Sequence, residues 1–147
     1  MEWTVLNLVL ISGLIMVLTG IHELGHIVAA RQLGMRIFKI GAALSPIPHV
    51  FVAAQHPKEF WKKFVYLMAG SSITITLFII VMTTGLAKTY PWIYIAFAFQ
   101  LIIEANPFYS DFTIITGKHR DAYLFSSIWY IHFVLWMSLI LLLIHNN

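Results

Sequence analysis

The sequence predicts an all-α membrane protein: four transmembrane helices with a short interfacial β-hairpin between helices 1 and 2. Three observations carry that expectation. Of the 147 residues, 60% are hydrophobic and only 10% are charged, against roughly 45–50% and about 25% in a soluble domain. Four apolar runs approach the roughly 20 residues that cross a hydrocarbon core. The connection between the first two runs is itself apolar and carries strand and turn residues.

The first run extends from Trp3 to about Arg31. Met1-Glu2 supplies no basic leader and no small-x-small cleavage site follows, so the run is expected to be retained as a span. The second is Phe60 to Leu86, the third Trp92 to about Pro107, and the fourth Tyr123 to Ile144. The third is the shortest, because Glu104, Asn106 and Pro107 interrupt its end. Between runs one and two, "MRIFKIG" alternates in part, "SPIP" supplies turn residues and "HVFVAAQ" is β-branched and aromatic, which predicts the hairpin. Its exposed edge suits either the addition of an extended peptide or plain packing against the helices.

No repeat, low-complexity tract or soluble domain is apparent, so the chain reads as one membrane-embedded unit over residues 1–147. Arg31, Arg36, Lys39, Lys58, Lys62 and Lys63 lie between runs one and two, Lys118 and Arg120 between three and four, and only Lys88 between two and three. The positive-inside rule then places both termini outside and the two basic loops in the cytoplasm. A multi-pass protein of a prokaryotic cytoplasmic membrane is expected. The cations flank spans and form no stripe, which argues against a nucleic-acid partner.

The first run contains "HELGH", His22 to His26. On a helix, residues i and i+4 share a face, so both histidines can reach one ion. The pattern H-E-x-x-H supplies two zinc ligands and, in Glu23, a general base. Zinc lowers the pKa of a water it binds to about 7, and the carboxylate takes the proton as a carbonyl is attacked. Ionisable groups at membrane depth cost about 2.5–3.5 kcal/mol each on insertion scales, so they mark functional sites. Cysteine is absent, and hydrolytic zinc sites use three protein ligands. The third is therefore sought among acids. Asp111 in "EANPFYSDF" follows the end of the third run and arrives on the same side as the histidines. Glu104 is the competitor, with a supporting role, orienting a histidine, as its other reading. Of the remaining histidines only His132 lies deep in a run.

These residues resemble the site-2 protease family of intramembrane zinc metalloproteases. The likeness rests on "HELGH", on "NPFYSD" from Asn106 to Asp111, and on "LMAGSSIT", Leu67 to Thr74, which is similar to the family's A-G-P-x-x-N segment. It spans about Thr19 to Phe112. Phe112 stands where the family usually has Gly, and Ser71 and Thr74 where it often has Pro and Asn. The resemblance implies that His22, His26 and Asp111 bind one Zn2+, that Glu23 is the catalytic acid/base and that Asn106 holds the substrate backbone. The implied activity is a zinc endopeptidase that cleaves transmembrane or membrane-bound peptides near the cytoplasmic leaflet. A non-catalytic protein that holds zinc and sequesters a peptide is the alternative.

Overall fold

A computed structural model describes residues 4–43, 49–55, 57–105, 111 and 127–145. Helix α1 is Val5–Gln32, strands β1 and β2 are Ile37–Ala43 and His49–Ala54, α2 is Phe60–Thr83, α3 is Leu86–Thr89, α4 is Pro91–Glu104 and α5 is Ser127–His145. The chain is thus mostly helical, with a two-stranded antiparallel hairpin between its first two long helices, as the sequence predicts.

Each boundary has a local cause. The Thr4 hydroxyl caps α1 by accepting from the Asn7 N–H at 3.3 Å, satisfying one of the donors a helix start leaves open. At the other end Gly34 adopts φ 67°. There the Met35 N–H donates to the Ala30 carbonyl at 2.8 Å and the Gly34 N–H to that of Arg31 at 3.2 Å. This double closure is how a left-handed glycine ends a helix, and it turns the chain directly into β1. The Gln55 N–H donates to the Arg36 carbonyl at 2.8 Å, extending the hairpin ladder by one rung.

The apolar runs are trimmed relative to expectation. Helix α2 stops at Thr83 rather than Leu86, because Gly85 takes φ 72° and starts a separate single turn, α3. Helix α4 begins with Pro91 in its first turn and closes at Glu104, short of Pro107. Among the described residues, two helices, α1 and α2, are long and apolar enough to cross a membrane, and α4 is a shorter apolar helix. Its 14 residues rise only about 21 Å, less than the roughly 30 Å of a hydrocarbon core. The fourth run is described as α5, 19 residues long. The turn at Pro46 and Pro48 and the segment with Asn106, Pro107 and Phe112 lie outside the described residues.

Packing fixes the relative directions of the helices. His26 of α1 touches Tyr66 of α2 and His22 touches Gly70, so α1 and α2 run antiparallel. Ile11 packs with Ile95 and Ala96, Leu18 with Phe97, and Thr19 bonds Gln100, so α1 and α4 run parallel. Small residues let the helices approach closely. Ala29 and Ala30 bury against Tyr66 and Leu67, with Met35, Ile37 and Ala54 of the hairpin stem against them. A Cβ added to Gly25 would lie 2.8 Å from the Ala69 carbonyl oxygen. Helix α1 can touch the backbone of α2 at that point only through glycine.

Candidate metal centre

The parallel course of α1 and α4 brings the end of α4 to the level of the histidine pair. His22 and His26 are buried, one turn apart on the face of α1 that meets α2. Asp111 reaches both: its Oδ2 lies 3.2 Å from His22 Nε2 and 3.1 Å from His26 Nε2, and the two Nε2 atoms are 3.1 Å apart. Among the described residues, His22, His26 and Asp111 form a group that could hold a metal ion. Glu104 stands elsewhere, with Oε1 3.0 Å from the opposite ring nitrogen of His22, Nδ1.

The outer ring nitrogens determine what the inner ones can offer. His26 Nδ1 lies 2.8 Å from the Tyr66 carbonyl oxygen, which can only accept, so Nδ1 carries the proton. His22 Nδ1 faces the Glu104 carboxylate at an ion-pair distance, off the line of a ring N–H hydrogen bond. That carboxylate likewise favours a proton on Nδ1. Both Nε2 lone pairs then point at Asp111 Oδ2. Three acceptors meet within 3.2 Å, and only extra ring protons or a cation can reconcile them.

Burial alone would push the Asp111 carboxyl up. The two imidazoles, by donating to it and by their charge when protonated, outweigh that and hold it at about 2. Asp111 is therefore ionised at neutral pH, the form that binds a cation.

The other residues expected at a site take distinct places. Glu23 is half-buried beside the pair, next to the backbone of Val52 on β2. The hairpin therefore lies against α1 at the glutamate. His132 is on α5, where its Nε2 accepts from the Trp136 indole N–H at 3.1 Å. Both line a separate open cavity of about 420 Å³ with Phe78 of α2 and Tyr94 of α4. Asn106 lies outside the described residues.

In the sequence, Gly70 and Thr74 figure only within the "LMAGSSIT" likeness, with no role at the site, and Tyr66 and Gln100 are unmarked. Gly70 provides the floor under His22, and Tyr66 contributes its carbonyl together with its ring, whose centroid lies 5.0 Å from that of His26. Thr74 donates to Glu104 Oε1 at 2.8 Å and Gln100 does so at 3.0 Å. Polar residues in apolar helices are the signal that could have marked Thr74 and Gln100. Ser71 Oγ and Glu104 Oε2 are buried without a hydrogen-bond partner among the described residues.

No protein-family model, curated protein or solved structure matches the chain.

Proposed function

We propose that the chain is a membrane-embedded zinc endopeptidase, similar to the site-2 proteases, that cleaves transmembrane or membrane-bound peptides near the cytoplasmic leaflet. The observation that carries this reading is the meeting of His22, His26 and Asp111 around one point with Glu23 beside it. Zinc bonds of about 2.0–2.1 Å in a tetrahedron set ligand atoms about 3.3–3.4 Å apart. The edges of 3.1, 3.1 and 3.2 Å come within about 0.3 Å of that. Two nitrogens and a carboxylate oxygen suit zinc, and they leave a fourth position for water or substrate.

Bound there, zinc would supply Lewis acidity to a substrate carbonyl and to water. The chain's own residues would do the rest. Glu23 takes and returns the proton, and its half-buried position leaves it in reach of solvent. A helical substrate has to unwind first, since its carbonyls are tied up in the helix. Strand β2 lies against α1 next to Glu23, so a peptide extended along the hairpin would pass the carboxylate. Asn106, two residues beyond α4, is assigned to hold that backbone.

In the membrane, α1 and α2 cross fully, α3 and α4 together make the third passage and α5 the fourth. The basic residues around the hairpin and between the last two passages face the cytoplasm, and both termini lie outside. The partners are the bilayer and a membrane-bound protein or peptide substrate.

The test is a comparison of membrane peptides from cells expressing the wild type or Glu23→Gln. Loss of a general base costs about 10²–10⁴-fold in rate, so uncut substrate accumulates with Glu23→Gln. Identical peptide patterns from the two proteins, each carrying one zinc, would instead make the chain a holder of peptides.

A further inference from the structure

Glu104 is buried where α1, α2 and α4 meet, and its two oxygens are treated unequally. Oε1 accepts from the Thr74 hydroxyl of α2 at 2.8 Å and from the Gln100 amide, one turn earlier on α4, at 3.0 Å. The same oxygen stands 3.0 Å from His22 Nδ1. Oε2 is buried with no partner among the described residues. Each carboxylate oxygen has room for its own donors, yet every donor here gathers on the one that faces His22. Any other tilt of the carboxyl group would cost the bonds to both Thr74 and Gln100.

Gln100 is itself oriented. Its Oε1 accepts from the Thr19 hydroxyl at 3.1 Å, while that hydroxyl also reaches the Ile15 carbonyl at 2.9 Å. The Nε2 group is left for Glu104. A flipped amide would turn its oxygen toward the carboxylate, acceptor against acceptor. Thr74 reaches the Gly70 carbonyl at 3.3 Å as well as Glu104, but the contact to the carboxylate is the shorter.

We propose that Thr74 and Gln100, with Thr19 behind Gln100, are positioning residues of the metal centre. They aim Glu104 Oε1 at the Nδ1 edge of His22 and thereby hold His22 Nε2 toward His26 and Asp111. The inference rests on the metal reading above. A ligand histidine whose far nitrogen meets a carboxylate is fixed in orientation and made more basic, and loss of such a partner costs about 10–100-fold in affinity. Low dielectric strengthens the bonds from Thr74 and Gln100 to Glu104.

The experiment uses the full chain in detergent micelles as wild type, Thr74→Val, Thr74→Ser, Gln100→Leu and Glu104→Ala. Two quantities are read: solvent exchange of the His22 ring Nδ1–H in metal-free, ¹⁵N-histidine-labelled protein, and affinity and visible spectrum on titration with Co2+. In Thr74→Val and Gln100→Leu, exchange quickens by about 10-fold or more, and Co2+ binds about 10–100-fold more weakly with an altered spectrum. Thr74→Ser restores both, and helix content stays at the wild-type level. Wild-type exchange and Co2+ binding in all four variants would overturn the proposal, as would a Thr74→Ser protein no better than Thr74→Val. Exchange that responds as described in a wild-type chain taking up no Co2+ would uphold the role of Thr74 and Gln100 toward His22 while removing the metal.

Discussion

Gly70 of α2 lies directly beneath the imidazole of His22. A Cβ built at Gly70 would stand 2.6 Å from His22 Cε1 and 2.7 Å from Nε2, distances that no carbon contact tolerates. The ligand atom of the ring therefore sits where it does because residue 70 has no side chain.

Gly70→Ala is expected to displace the His22 ring and abolish stoichiometric metal binding while leaving helix content intact. Gly20→Ala is the control: nothing lies within 4 Å of a Cβ there, and alanine gains up to about 1 kcal/mol over glycine in a helix. Metal titration and thermal melting of the two proteins check the contrast.

Gly25→Ala fails differently. Its Cβ would meet the Ala69 carbonyl oxygen at 2.8 Å, and backbone cannot swing away as a side chain can. The α1–α2 interface must open, at a cost of about 1–3 kcal/mol. Melting temperature falls, and metal affinity falls with it because His26 and the Tyr66 carbonyl separate.

Ser71 and Thr74 are both buried hydroxyls on α2, at 1% exposure each, yet substitution should affect them oppositely. Ser71 Oγ has no partner among the described residues, so Ser71→Ala is expected to be neutral or to stabilise by about 1 kcal/mol. Thr74→Val removes the donor to Glu104 and destabilises. Melting curves of the two variants, measured side by side, test the assignment.

Metal should leave on acidification because protons compete for the ligand atoms. Asp111, held at about 2 against an ordinary value of 3.8, contributes stability that is fully present above the ordinary value and is lost only as pH falls through about 2. It stays charged throughout the range from pH 7 to 5. Release in that range therefore reports protonation at ligand atoms other than the Asp111 carboxylate. Release that waited until pH 3 would point to carboxylate ligands alone.

Features set by local periodicity were legible in the sequence. The i, i+4 spacing put His22 and His26 on one face, the strand and turn residues after Gly34 predicted the hairpin, and the order of apolar runs carried Asp111 to the histidines' end. The ends of the second and third runs were not legible to the residue: Gly85 stops the second at Thr83, and the third, expected to reach about Pro107, closes as a helix at Glu104. Nor was the support of the site. Gly70, the Tyr66 carbonyl, Thr74 and Gln100 gain meaning only from how α1, α2 and α4 pack, and a backbone carbonyl leaves no trace in residue identity. Glu104 was visible as a candidate ligand or orienter, and only its place at Nδ1, opposite Asp111, separates the two.

The central claim is that His22, His26 and Asp111 hold one metal ion, and metal analysis of purified wild type, Asp111→Asn and Glu23→Gln tests it most directly. One zinc per chain is expected in the wild type and in Glu23→Gln. In Asp111→Asn affinity should fall by more than the roughly 10–100-fold that a supporting hydrogen bond is worth. Equal zinc content in wild type and Asp111→Asn, or none in the wild type after exposure to zinc at neutral pH, would contradict it.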